Sequence, residues 1–121
     1  MTKSTLAVLT ALPLALALAT GAAAQLELPR PSPKATVTQF VGLTEVTIAY
    51  SSPGVKGRTI WGELVPYGQV WRTGANEATT ITFNTEATIS GNKVPAGTYG
   101  LFTVPGEKEW TVIINKAAEQ W

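Results

Sequence analysis

From Ala35 onward the apolar side chains recur every second residue, and that period points away from helices before composition is considered. Val37, Gln39 and Val41 alternate with Thr38 and Phe40, and Val46, Ile48 and Tyr50 alternate with Thr47 and Ala49. Two strands joined near Gly42 are predicted. Ala78 to Thr85 repeats the pattern, with Ile81 and Phe83 on one face and Thr80 and Thr82 on the other, as a half-buried strand requires. Ser90-Gly91-Asn92-Lys93 places glycine first of two central residues, which predicts a short type II′ hairpin. Thr98 to Val104 and Glu109 to Asn115 flank Pro105-Gly106, whose order suits a tight turn. Leu101, Phe102, Val104, Trp110, Val112, Ile113 and Ile114 make both faces of this second hairpin apolar, so it is expected in the centre of the core. Short strands separated by turn chemistry predict an antiparallel β-sandwich, with a small barrel as the alternative.

The first residues have the grammar of a secretory signal peptide: Lys3, an apolar run from Leu6 to Ala19, then the small residues Gly21 to Ala24. Pro13 and Gly21 interrupt that run, which is short for a bilayer span, so cleavage between Ala24 and Gln25 is expected rather than a retained anchor. Residues 1–24 are then the leader, 25–34 a Pro-rich extended arm, and 35–121 a single domain. The arm carries Pro29, Pro31 and Pro33 in alternation, which forbids a helix. It reads equally as a solvated linker or as an edge segment leaning on the domain. A periplasmic or secreted protein is expected, with no stable membrane insertion once the leader is removed.

The whole chain has 9 basic and 8 acidic residues, and loss of Lys3 leaves them in balance, so nothing electrostatic invites nucleic acid or an anionic membrane. Cysteine is absent, which removes disulfides and the residue on which a bacterial lipoprotein is acylated. Histidine and aspartate are absent too. That excludes His-centred triads, Cys/His zinc sites and Asp-based metal loops, and no cofactor or metal is expected.

One section departs from the strand pattern. Ser51 to Asn76 is rich in glycine, proline and aromatics, and an irregular stretch of that length is either functional or holds unrecognised elements. Arg58, Trp61, Tyr67, Trp71, Arg72, Asn76 and Glu77 lie within or beside it. One reading is a ligand-binding platform, with aromatic faces for a ring and Arg72 and Glu77 supplying directional hydrogen bonds to a small molecule, glycan or peptide. The other is architecture: Trp61 and Trp71 fill a corner, Arg72 pairs with Glu77 across the Thr73 to Asn76 turn, and Gly74 supplies positive φ. An interaction or structural domain is the second functional reading. A Glu-dependent hydrolase is the third, drawing two carboxylates from Glu63, Glu77 and Glu86 about 5 to 10 Å apart. Ser90-x-x-Lys93 has the spacing of a serine-lysine nucleophile motif, but it falls on a hairpin turn rather than a helix start.

The stretch SPKATVTQFVGLTEVTIAYSSPGVKGRTIWGELVPYGQVWRTGANEATTITF, followed by VPAGTYGLFTVPGEKEWTVIINK, resembles the bacterial exported proteins of the domain of unknown function family 2911. The WRTGANEAT and PAGTYGLFT segments carry the resemblance most specifically. It implies an exported all-β domain and no established activity. Members of that family usually continue well past the segment matching Trp110 to Trp121, so the chain reads as cut short at its C-terminus.

Overall fold

The computed structural model describes residues 26–120; the predicted leader, its cleavage point and Trp121 lie outside the described residues. Seven strands follow in order: β1 (Lys34–Val41), β2 (Thr44–Ser51), β3 (Thr80–Phe83), β4 (Ala87–Ile89), β5 (Asn92–Val94), β6 (Gly97–Val104) and β7 (Thr111–Asn115). They form a five-stranded sheet in the order β1-β2-β3-β6-β7 and a separate β4-β5 ribbon. Every pairing is antiparallel. The all-β antiparallel class therefore holds, with two sheets and no closed barrel, since β1 and β7 end the larger sheet without meeting. No helix among the described residues is long and apolar enough to cross a membrane.

The register explains the alternation. Val37 opposes Ile48, Ile48 opposes Ile81, Ile81 opposes Tyr99, and Leu101 opposes Ile114, so one face of the sheet is apolar from edge to edge. The opposite face carries a transverse threonine row, in which Thr38 opposes Thr47, Thr47 opposes Thr82 and Thr82 opposes Thr98. Two of these pairs join through their hydroxyls, Thr38 to Thr47 at 3.0 Å and Thr82 to Thr98 at 2.9 Å. Cross-strand pairs of this kind contribute roughly 0.2–1 kcal/mol each. Phe83 on the apolar face and Phe102 on the other are both buried, together with Val65 and Ala78. Each phenylalanine contributes about 1.5–3 kcal/mol of burial.

Several expectations need correction. The β4-β5 turn is Ser90-Gly91, with Ile89 opposite Asn92 and φ of 49° and 81°. Positive φ at both central residues is the type I′ pattern, not the type II′ one. A positive φ at the first central residue alone appears instead at Gly42-Leu43, where Gly42 has φ 62° between paired Val41 and Thr44. The last hairpin is not closed by Pro105-Gly106 alone, because Val104 pairs with Thr111 and the whole of 105–110 connects the strands. Pro105 is buried and its carbonyl accepts the Gly68 N–H at 2.9 Å, so it anchors another loop. Nor is this hairpin central: β7 is an edge strand, with Val112 60% exposed and Trp110 44% exposed. The proline-rich arm does lean on the domain, Pro33 accepting the Ser52 N–H at 2.8 Å just before β1 begins.

Gly100 marks where the chain after β7 crosses the threonine face. A Cβ built there lies 2.7 Å from the Ala117 carbonyl oxygen and 2.8 Å from the Phe102 ring. Backbone on one side and a buried ring on the other leave no room for a methyl group. Gly100→Ala is expected to lower stability by about 1–3 kcal/mol in urea melts. An unchanged midpoint would show that the 116–120 segment yields without cost.

Candidate functional site

The long irregular section is built as an interrupted strand. Beyond the last residue of β3's pairing, β6 continues to bond the chain that precedes β3: Gly68 N–H to Pro105 O at 2.9 Å, Trp71 N–H to Thr103 O at 2.7 Å, and Thr103 N–H to Trp71 O at 2.9 Å. Pairing then resumes with the Leu101 N–H on Thr79 O at 2.8 Å. Between these points the chain leaves β6 in an excursion, Arg72–Thr79, closed at its neck by the Thr79 N–H on Arg72 O at 3.1 Å.

The excursion is pinned by several hydrogen bonds, within itself and to neighbouring segments. The Thr79 hydroxyl donates to Thr73 O at 2.9 Å, and the Thr73 hydroxyl meets the Thr103 hydroxyl at 3.1 Å. The Ala75 N–H reaches Ser51 O at 3.1 Å and the Ala78 N–H reaches Gln120 O at 3.0 Å. Gly74 is buried beneath β2, where an added Cβ would lie 3.0 Å from Ser51 O. Thr73 and Asn76 hold positive φ, 60° and 57°. For a β-branched residue such as Thr73 that is a strained state of order 1–3 kcal/mol, kept by the surrounding bonds.

Beside the excursion lies a groove of about 600 Å³, within the range of small-molecule sites. Of the residues singled out in the sequence, Arg58, Trp61, Trp71 and Arg72 line it, together with Tyr50, Ile60 and Leu64. Trp61 and Trp71 also pack edge-to-face at 5.6 Å between ring centroids. Trp110 completes the cluster, 4.8 Å from Trp61 and 6.4 Å from Trp71, in geometries that favour aromatic pairs. Trp71 is half-buried and fixed by its backbone bridge, while Trp61 is 46% exposed. Arg58 is held by its own turn, donating from Nη2 to Gly54 O at 2.7 Å and from Nε to Val55 O at 3.1 Å.

Tyr67, Asn76 and Glu77 are not among the residues that line this groove. Tyr67 lies against Gly62, whose positive φ of 86° and close approach to the ring suit a residue without a side chain. The Asn76 amide donates to Ser32 O in the arm at 3.3 Å. The expected Arg72–Glu77 pair does not form. Glu77 instead accepts from Arg30 Nη1 through both carboxylate oxygens, at 2.7 and 2.9 Å. The physical reason is the excursion itself: it is not a four-residue turn, and folding Gly74 under Ser51 turns Glu77 toward the arm. Arg72 is exposed and its side chain makes no hydrogen bond or ion pair among the described residues.

Arg30, Tyr50 and Trp110 were missed as members of this region. Tyr50 is half-buried near the end of β2, where strand alternation hid it, and Arg30 sat in an arm that read equally well as solvated. Trp110 lies in the 105–110 connection rather than in the strand that the Pro105-Gly106 pair predicts.

No glutamate lines the groove. Glu77 is paired with Arg30, and Glu86 with Lys93 at 3.2 Å. Glu77 and Glu119 do share a smaller hollow of about 410 Å³ near the chain end. The hydrogen bond from Arg30 holds the Glu77 carboxyl below the usual range, so it is an ionised group there rather than a proton donor. Ser90 lies on the β4-β5 turn, with Lys93 directed to Glu86.

An all-β domain with a tryptophan-walled, arginine-edged groove is the class that this fold and geometry define. The family model described as "Protein of unknown function (DUF2911)" matches residues 32–121, and the chain belongs to that family. No curated protein and no solved structure matches the chain.

Two substitutions separate the roles of the arginines. Arg72→Ala is expected to leave stability within about 0.5 kcal/mol of wild type, as for a surface residue without partners. A larger loss in a thermal melt would show that Arg72 holds the corner after all. Glu77→Gln has a pH signature: the folded pKa is depressed, so the stabilisation is present above the ordinary glutamate value of about 4.3 and is lost as the pH falls through the folded value. The difference in Tm between wild type and Glu77→Gln should therefore close on acidification, and a difference independent of pH would sink the ion-pair account.

Proposed function

We propose that this chain is an exported, non-catalytic binding module whose groove takes a small molecule, a glycan or a short peptide presenting a ring. The observation that carries the reading is the convergence of Trp61, Trp71, Arg58 and Arg72 on one groove of about 600 Å³. Indole faces bury ring carbon, and a small number of polar groups fix orientation, which is the usual composition of a ligand site. Much of the surrounding loop is fixed by hydrogen bonds, so binding would require little ordering. A Glu-dependent hydrolase needs two carboxylates across a cleft, and this groove supplies none.

The edge of the larger sheet favours a second reading, an interaction domain. β1 spans Lys34–Val41 with Val37 53%, Phe40 59% and Val41 66% exposed, and an unpaired edge of that length can accept a strand from a partner. The two readings separate on where binding is lost, at the groove or at β1.

The tryptophans themselves report on the groove. A glycan and metabolite screen followed by intrinsic fluorescence should find a ligand that perturbs Trp61, Trp71 and Trp110 together. Trp61→Ala is expected to weaken that ligand at least tenfold while stability falls by about 2 kcal/mol or less, since the residue is 46% exposed although its ring packs on both other indoles. Trp71→Ala is a contrasting control: it should cost roughly 3 kcal/mol, because the half-buried ring packs against two others. Loss of stability from Trp61→Ala with no ligand found for the wild type would leave the cluster as architecture.

Export rests on Lys3, the Leu6 to Ala19 run and the Gly21 to Ala24 segment. N-terminal sequencing of the secreted or periplasmic product should begin at Gln25. Recovery of intact Met1 on a membrane-bound product would overturn it.

A further inference from the structure

We infer that the groove selects an anion: a ring compound carrying a carboxylate, received by Arg72 while the ring lies against the tryptophans. This rests on the binding-module reading above and adds the charge of the ligand to it.

Among the described residues lining the groove, Arg58 and Arg72 alone have side chains that carry a formal charge. The glutamates that could neutralise them are engaged elsewhere or absent from its walls: Glu77 binds Arg30 and Glu86 binds Lys93. Two positive charges thus edge one concavity in a chain whose net charge is only +1. Such a concavity raises the local concentration of anions and attracts them most strongly at low salt.

The two arginines differ in readiness. Arg58 has Nε and Nη2 committed to Val55 O and Gly54 O, which holds its charge in place and leaves Nη1 without an acceptor among the described residues. Arg72 has its whole guanidinium fork free among the described residues, yet its backbone is fixed on both sides. Trp71 before it bridges Thr103, and the Arg72 carbonyl accepts the Thr79 N–H. A planar fork with parallel N–H donors matches a planar carboxylate in two hydrogen bonds.

The test uses matched pairs: benzoate, indole-3-carboxylate and D-galacturonate, each against its neutral primary amide, titrated into the Gln25-to-Trp121 chain and followed by tryptophan fluorescence and calorimetry. At least one acid is expected to bind about tenfold or more tightly than its amide, with an affinity that falls as salt is raised. Arg72→Gln should remove most of the acid's advantage over its amide, leaving only the small salt-dependent remainder due to the Arg58 charge, and Arg72→Lys should keep the salt dependence but recover only part of that advantage. Trp61→Ala should weaken acid and amide alike. Acid and amide binding equally to the wild type would overturn the charge inference and leave the binding module standing. An acid preference untouched by Arg72→Gln would also overturn it, placing the anion elsewhere. No binding by any acid or amide would defeat both.

Discussion

The two hydrogen bonds between Trp71 and Thr103 carry more of this structure than their number suggests. β3 is only Thr80–Phe83, and β6 extends well past it to Val104. Without another chain beside Leu101 to Pro105, the inner flank of β6 would present unpaired N–H and C=O groups next to the core. The segment from Gly68 to Trp71 fills that place. It thereby sets the position of the Trp71 ring, the floor on which Trp61 and Trp110 assemble, and one wall of the groove.

A sheet with few fully buried apolar residues must find order elsewhere, and here it comes from hydroxyls and main-chain bonds. Val65, Ala78, Phe83 and Phe102 are buried apolar residues, while Ser51, Thr79 and Thr103 are buried polar ones. Thr79 and Thr103 sit at the two points where the interrupted strand rejoins β6, each bonded through both main chain and hydroxyl. A buried hydroxyl without a partner is costly, and no such atom remains among the described side chains. The polar network is therefore what makes the aromatic corner reproducible, since tryptophans alone tolerate many packings.

Strand pattern made β1, β2 and most of β6 legible in the sequence, because a period of two belongs to one sheet face and the opposite face here is dominated by threonine. The short ribbon was visible in existence but not in turn type: Ser90 accepts positive φ, which moved both central residues back by one. β7 was misplaced because its run of Val112, Ile113 and Ile114 looks the same in an edge strand as in a buried one. Within the loop, residue types singled out the groove, and four of the seven residues named from sequence line it. The Arg72–Glu77 pairing was wrong for a reason that periodicity cannot reveal. It depends on Gly74 passing under Ser51, a contact between segments far apart in the chain.

That passage also explains why Arg72 can be both exposed and well placed. Thr73 takes an αL-like φ that β-branched residues avoid, and it does so with its hydroxyl between Trp71 O and the Thr103 hydroxyl. The strain would relax if the excursion opened, yet opening would break the Thr79 neck bond and the Ala75 bond to Ser51 together. The backbone flanking Arg72 is thus held by several interactions that must fail in concert, whereas its side chain is held by none among the described residues. A guanidinium without partners on a well-bonded backbone can adjust at the groove's edge without disturbing the indole beside it. Such a division suits a ligand whose ring is placed by packing and whose charge is caught afterwards, because the entropy lost on capture is that of one side chain rather than of a loop.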